Sequence, residues 1–196
     1  MSILFIDTET TGVPKEHWKN WDECYAVQIS YVITDKEYKQ LDAKNYLIKD
    51  SLHKSSAESF KIHHITEEER NAKGISINRF FTLFKQDLEQ YEVKNIVAHG
   101  VYFDIGLIFN EATRNGLEID TFANYNYYCS KRSPLYVKTK GLKGTIEKYK
   151  LPILYNGHAH DALYDAYLCL SLFSYTKDKE IMQIKYKDII NTVFNS

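Results

Sequence analysis

Acidic residues occur at three places in the sequence where a folded chain could present them to a ligand. The first place holds Asp7 and Glu9, which lie two residues apart at the end of the apolar run Ser2–Asp7. Such a run is typical of a buried strand, and alternation along a strand directs both carboxylates to one face. There they repel each other unless a cation or a proton intervenes, so the pair indicates a metal site. The alternative is a solvated strand end without a ligand.

Asp104 is the acidic residue of the second place. It follows the apolar run Asn95–Ala98 and a short loop, and it lies near the start of a predicted helix. Open α/β sheets bind their ligands at the carboxyl edge of the strands, where this helix would begin. The alternative role for Asp104 is to complement the positive end of the helix dipole.

The third place is the segment GHAHDALYDA, residues 157–166. His160 and Asp165 would point about 140° apart if both were helical, so they meet only if the helix begins after the histidine, with Asp161 as its N-cap. A loop histidine above carboxylates suits a general base that takes a proton from water. His158 is the competing candidate, and a surface histidine without a task is the alternative for both.

Carboxylates without an accompanying cysteine favour Mg²⁺ or Mn²⁺ over zinc. Two such ions, about 3.5–4 Å apart, can be held by four carboxylates, with one ion activating the nucleophile and one stabilising the leaving oxygen of a phosphodiester. The four candidates in this chain are Asp7, Glu9, Asp104 and Asp165.

Apolar periodicity predicts the elements that must position these groups. A meander of three strands is predicted at Ser2–Asp7, Ala26–Thr34 and Asn45–Lys49. A further strand at Asn95–Ala98, preceded by a helical stretch, indicates a crossover onto the same sheet and therefore an α/β fold. The predicted helices run from Thr66 to Gly74, over Ile77–Tyr91, over Phe103–Asn115, up to Tyr149, over Asp161–Tyr175 and over Glu180–Phe194.

Composition narrows the class of protein. A chain of 196 residues with 44% hydrophobic content predicts one domain over residues 1–196. No apolar run approaches the ~18 residues of a membrane span and the N-terminus lacks a signal pattern, so we expect no membrane partner. Three widely spaced cysteines favour reduced thiols and a cytoplasmic location. A net charge of −1 does not favour tight wrapping of duplex nucleic acid.

Three motifs follow one another along the chain, in the order FIDTETTG, AHGVYFDIGLIFNEA and HAHDALYDA. Their order and spacing resemble the three exonuclease motifs of the DEDDh family, the DnaQ-like 3′→5′ exonucleases that include the proofreading epsilon subunit of bacterial DNA polymerase III. The segment Ile62–Thr66, IHHIT, is also similar to a His-Gly-Ile-Thr loop of this family. The resemblance extends from Ile3 to about Phe173.

The resemblance implies an α/β fold of the RNase H-like type, a mixed sheet flanked by helices. It assigns two Mg²⁺ or Mn²⁺ ions to the four carboxylates, and it selects His160 over His158 as the base because the family's histidine precedes the last aspartate by five residues. It also implies a set of residues that bind the 3′-terminal nucleotide: Thr10, Thr11, Val13, His64, His99 and Phe103.

The implied activity is hydrolysis of nucleic acid from a free 3′ end, with single-stranded DNA favoured, to nucleoside 5′-monophosphates. An RNA-trimming exoribonuclease or oligoribonuclease of the same family is the first alternative, and a non-catalytic nucleic-acid-binding partner subunit is the second. A polymerase or another nucleic-acid-processing protein is an open candidate partner, and the sequence does not separate proofreading from stand-alone trimming. Because the chain ends soon after the third motif, we expect no polymerase-tethering domain.

Three positions depart from the family pattern. Gly100 stands where many members have Asn, His64 where the loop has Gly, and Gln28 where an acidic residue is frequent. None is a proposed metal ligand, so the departures concern specificity and loop conformation.

The segment of residues 124–144 combines tyrosines with lysines and an arginine and contains no acidic residue. Aromatic faces and local positive charge are typical of surfaces that bind single strands, while a solvated loop is the equal alternative. The basic residues are Lys131, Arg132, Lys138, Lys140 and Lys143.

Overall fold

The computed structural model describes residues 1–15, 20–176, 181 and 183–194. Within these residues the strands form a six-stranded mixed sheet in the order β3-β2-β1-β4-β5-β6. The parallel neighbours are β1, β4 and β5, and the remaining pairs are antiparallel. The strands are β1 Ser2–Thr10, β2 Ala26–Thr34, β3 Gln40–Leu47, β4 Val93–Ala98, β5 Asn126–Cys129 and β6 Gln183–Ile184.

Helices connect and flank the strands. The helix at Glu67–Lys73 begins where the sequence predicts. The Thr66 hydroxyl accepts a hydrogen bond from the Glu69 amide at 3.1 Å and so caps its first turn. No helix in the described ranges is both long and apolar enough to cross a membrane. The α-helices are α1 Ala57–His63, α2 Glu67–Lys73, α3 Ile77–Gln90, α4 Val101–Arg114, α5 Gly141–Tyr149, α6 Ala162–Thr176 and α7 Tyr186–Phe194.

Alternation along β1 builds a core on each face of the sheet. Leu4 and Ile6 belong to the larger apolar cluster, which also contains buried residues of α3, α4 and α7. Ile3 and Phe5 belong to a second cluster with buried residues of α6. The strand therefore has one face toward α4 and the other toward α6, and its carboxyl end lies between two helix starts.

The predicted three-stranded meander and the mixed sheet flanked by helices are confirmed, although β3 begins at Gln40, before the predicted start at Asn45. The last predicted helix, Glu180–Phe194, is wrong in its first part, and Glu180 itself lies outside the described residues. Ile184 pairs with Tyr127 as part of β6 and is buried in the larger cluster, so sheet pairing prevails over helical periodicity there. The helix begins at Tyr186.

Candidate active site

The first acidic pair lies within β1, which continues through Thr10 instead of ending at Asp7. The odd-numbered residues before it, Ile3 and Phe5, pack on the α6 side. Period-two alternation therefore directs Asp7 and Glu9 toward that same side, as predicted. Glu9 is 9% exposed, which leaves its carboxylate reachable only through a cavity.

Asp104 lies in the first turn of α4 and is 3% exposed. Its carboxylate accepts a hydrogen bond from the Thr8 hydroxyl at 3.0 Å and another from the Gly100 amide at 3.2 Å. The contact with Gly100 stabilises the helix start, which was the alternative role. The contact with Thr8 ties the same carboxylate to the strand that carries Asp7 and Glu9.

The third segment has the geometry that the sequence predicts. Helix α6 begins after His160, and the Asp161 carboxylate accepts a hydrogen bond from the Leu163 amide at 3.2 Å, as an N-cap does. His160 has a left-handed backbone, with φ at 65°, and its amide donates to the Asp165 carboxylate at 2.9 Å. Ligand atoms of Glu9, His160 and Asp165 all lie within 4.8 Å of one another.

These groups open into one cavity of about 500 Å³, here called the carboxylate cavity. Among the predicted nucleotide-binding residues, Val13, His99 and Phe103 line it. Thr10 and Thr11 do not, because both are buried and donate their hydroxyls to the carbonyls of Gly12 and Glu23. The wall also holds the four carboxylate residues, His160, and the basic residues Lys131, Lys140 and Lys143.

His64 lines a neighbouring cavity of about 800 Å³ together with His158. His160 lies between the two, since it lines both. The backbone of His64 is left-handed, with φ at 57°, which is a conformation that glycine adopts without strain. The glycine of the family loop is therefore replaced here at a position that still has a glycine-like backbone.

Gln28 holds the start of α6 to the sheet. Its amide nitrogen donates to the Asp161 carboxylate at 3.1 Å, and its carbonyl accepts from the Ala162 amide at 3.1 Å. An acidic side chain at this position could accept from Ala162 but could not donate to Asp161, and it would repel that carboxylate. The departure at Gln28 thus preserves the position of the helix that carries Asp165.

Burial and mutual repulsion shift the pKa values of the four carboxylates upward. Burial, then repulsion from Asp165 and Asp104, raises the pKa of Glu9 to about 8. Burial is also the main cause that raises the pKa of Asp7, Asp104 and Asp165. The nearby Lys131 ammonium lowers the pKa of Asp7 and Asp104, but burial prevails. Such a cluster gains stability from any bound cation.

The donor set fits a divalent metal ion. All four side chains offer hard oxygen ligands, and the convergence of Glu9, Asp165 and His160 within 4.8 Å has the size of a coordination sphere. Asp104 is close enough to Glu9 to raise its pKa. Glu9 and Asp165 in turn are close enough to Asp7 to raise the pKa of Asp7. An ion there would offset the repulsion that the buried carboxylates now experience.

Glu9 should make the stability of the metal-free protein depend on pH. Below the ordinary carboxyl pKa, Glu9 is protonated in both the folded and the unfolded chain, whereas between that value and about 8 the folded chain binds more protons. Its contribution to the unfolding free energy therefore decreases as pH rises through this window. Replacing Glu9 with Gln should leave the melting temperature nearly unchanged at pH 4 and raise it by several degrees at pH 9, since a pKa unit is worth about 1.4 kcal/mol and 1 kcal/mol about 2–4 °C.

Thermal melting of both proteins in EDTA across this pH range measures the effect. Glu147→Gln, which removes an exposed carboxylate on α5, is the matched control and should show no such divergence. Parallel curves for wild type and Glu9→Gln would contradict the shift assigned to Glu9.

Sequence reasoning did not place two residues that lie in the candidate site. Thr8, between the two predicted ligands, bonds to Asp104, and no pattern in the sequence indicates this contact. Lys131 was considered only as part of a basic segment, although it follows β5 directly and so stands at the same sheet edge as Asp104. Applying the carboxyl-edge argument to the third parallel strand, β5, would have placed Lys131 at this edge.

Comparison with known proteins agrees with this geometry. The sequence profile of the exonuclease family RNase_T matches residues 4–173. No curated protein sequence matches the chain. The fold is similar to that of the nuclease domain of 3′hExo, a DEDDh family member solved with rAMP, with 13% identity, a TM-score of 0.74, and coverage of 94% of this chain and 96% of that one.

Two further structures share the fold. E. coli Exonuclease I in complex with a dT13 oligonucleotide has 17% identity and a TM-score of 0.71, with 90% of this chain and 41% of that chain covered. Exonuclease X with a 5′-overhanging duplex DNA has 21% identity and a TM-score of 0.62, with 90% and 91% covered. This chain thus spans about two fifths of the length of Exonuclease I, and these identities establish the fold alone.

The RNase H-like fold implied by the motifs is confirmed, and the family profile extends from the first motif through the third. The chain therefore belongs to the exonuclease family RNase_T.

Proposed function

We propose that the protein removes nucleotides one at a time from single-stranded 3′ ends, chiefly of DNA, and releases nucleoside 5′-monophosphates. The observation that supports this most strongly is the convergence of Glu9, Asp165 and His160 within 4.8 Å, in a cavity that Asp7 and the buried Asp104 also line. Such an arrangement would allow a general base and metal ligands to act around one point, as phosphodiester hydrolysis requires.

Two divalent cations, Mg²⁺ or Mn²⁺, would be held by Asp7, Glu9, Asp104 and Asp165. When bound, they supply stabilisation of the charge that develops on the phosphodiester and lower the pKa of the attacking water. The protein's part is to keep four carboxylates converged against their repulsion. It does so through the Thr8 bond to Asp104 and the His160 amide bond to Asp165.

His160 would accept the proton of the attacking water. Its backbone is fixed to Asp165, yet its side chain is exposed at the mouth of the carboxylate cavity, where water has access. A base at this position is within reach of the ligands without being buried among them.

The terminal nucleotide would occupy the rest of the cavity, whose volume of about 500 Å³ is in the range of small-ligand sites. Val13 and Phe103 offer apolar surfaces for a base. Burial lowers the pKa of His99 to about 3, so this ring would contact the nucleotide as a neutral group. Thr10 and Thr11 would contribute indirectly, because their hydroxyls hold the turn after β1. His64 would contact the nucleic-acid strand in the neighbouring cavity.

Digestion of matched 3′-labelled and 5′-labelled single strands tests this proposal. With Mg²⁺ we expect the 3′ label to appear at once as a mononucleotide, and the 5′ label to move through progressively shorter products. EDTA should abolish both, because the carboxylate cluster then lacks its cations. Release of internal fragments, or full activity after exhaustive chelation, would contradict the proposal.

The same assay with RNA separates the two substrate classes. The solved relatives were bound to a deoxyoligonucleotide in one case and to rAMP in another. Faster digestion of RNA than of DNA of the same sequence would favour the RNA-trimming alternative, and absence of hydrolysis with retained binding would favour the non-catalytic one.

A further inference from the structure

Lys131 occupies space that a missing side chain leaves open. It follows β5 at the carboxyl edge of the sheet, and its amide donates to the His99 carbonyl at 3.3 Å. Its Nζ atom lies 3.3 Å from the point at which a side chain on Gly100 would place its Cβ atom. Asp104 Oδ2 lies 3.7 Å from the same point. The ammonium group therefore projects into the carboxylate cavity beside Asp104.

This placement separates Lys131 from the next basic residue. The Arg132 guanidinium turns toward Tyr102, 5.8 Å from the ring centroid. Within the described part of the chain, the Lys131 ammonium is engaged in no hydrogen bond or ion pair, whereas Lys15 and Lys44, for example, are paired with carboxylates at 2.6 and 2.7 Å. It is exposed at the cavity, and its charge acts on Asp7 and Asp104 without a direct ion pair to either.

Phosphates of a strand that enters this cavity need positive charge beyond the four carboxylates and the cations they would hold. A lysine is a compact cation on a flexible stem and binds phosphate as a point charge. The space over Gly100 lets such a group reach the cavity from the β5 side. A Cβ atom at position 100 would lie 3.3 Å from the ammonium, so glycine there leaves the lysine its present position without a shift.

We propose that Lys131 binds a phosphate group of the nucleic-acid strand that enters the carboxylate cavity, and that Gly100 provides the room for its ammonium. The proposal rests on the proposed nuclease function. It assigns Lys131 to substrate binding, apart from the metal ligands and from His160. Lys140 and Lys143 also line the cavity, but only Lys131 lies beside Gly100 and Asp104.

Steady-state kinetics on a single-stranded oligonucleotide with Mg²⁺ test this. Lys131→Ala should raise KM about 10-fold, as expected for loss of a hydrogen bond to a charged group, and leave kcat within about 2-fold. The slope of log KM against log salt should decrease by about 0.7, the value for one phosphate contact on a single strand. Lys131→Arg should restore most of the KM, because it retains the positive charge.

Lys148→Ala is the matched control, since this exposed lysine on α5 lies over the Tyr149 ring, outside the carboxylate cavity. It should leave KM and the salt slope unchanged. An active wild type whose Lys131→Ala variant matches this control would overturn the proposal while the nuclease function stands. An unchanged KM for Lys131→Ala together with a lower melting temperature in EDTA would also overturn it. That result would show that the ammonium stabilises the carboxylates of the protein instead of binding a phosphate. A wild type without 3′-end hydrolysis would overturn the nuclease function itself.

Discussion

Asp7→Ala is expected to lower turnover about 10³-fold or more while leaving the protein folded. The loss follows because a metal-stabilised transition state is worth several kcal/mol, and each 1.36 kcal/mol is tenfold in rate. Asp7 is surrounded by the other three carboxylates, so its removal takes a ligand from the centre of the cluster. Initial rates with Mg²⁺ on a single-stranded oligonucleotide measure the effect.

Stability distinguishes this loss from simple unfolding. Burial and repulsion from Asp104, Asp165 and Glu9 raise the pKa of Asp7, so its charge opposes folding in the metal-free protein. We expect the melting temperature of Asp7→Ala in EDTA to equal or exceed that of wild type. Asp188→Ala, which removes an exposed aspartate on α7, is the control for both measurements and should keep full activity. A marked drop in the melting temperature of Asp7→Ala would contradict the electrostatic account.

His160→Ala is expected to lower turnover by roughly 10²–10⁴-fold, the range typical of a positioned general base. The His160 imidazole lies at the cavity mouth with Glu9 and Asp165, and only a neutral ring can accept the proton of water. His158→Ala is the matched control and should be close to neutral, because His158 is exposed and lines the neighbouring cavity only. Turnover at saturating substrate is the quantity to compare.

Metal titration completes the comparison. Because His160 lies within 4.8 Å of two carboxylates, a role as a ligand is the competing explanation for lost activity. If carboxylate oxygens carry the ions, Mn²⁺ should bind His160→Ala with nearly the affinity of wild type. A large loss of Mn²⁺ affinity would show that His160 is a ligand instead of a base. An inactive His158→Ala with a fully active His160→Ala would show that His158, and not His160, is the base.

The sequence predicts this site well where local rules determine the geometry. Alternation along a strand is enough to place Asp7 and Glu9 on one face, and the angular argument correctly requires α6 to start after His160. Capping chemistry likewise predicts the helix after Thr66. Each of these inferences depends on residues close together in the chain.

The remaining features depend on contacts between distant segments. Ile184 has helical spacing in the sequence, but pairing with Tyr127 makes it part of a strand. The hydroxyls of Thr10 and Thr11 are taken by backbone carbonyls, which a motif cannot indicate. The location of Lys131 over Gly100 joins residues from two strand ends, so it becomes visible only when the sheet order is known.

The amide of Gln28 has a consequence for how this site can diversify in evolution. It fastens the first residues of α6 to the sheet, while Pro152–Leu154 and Asn156–His158, upstream in the chain, are exposed. Substitutions of exposed side chains in that stretch, such as Ile153 and Leu154, are therefore expected to leave Asp165 in place. Selection can alter the approach of the base, or the substrates that it admits, without rebuilding the carboxylate cluster. Gln28 thereby separates the requirements on the carboxylate cluster from those on the exposed approach to it.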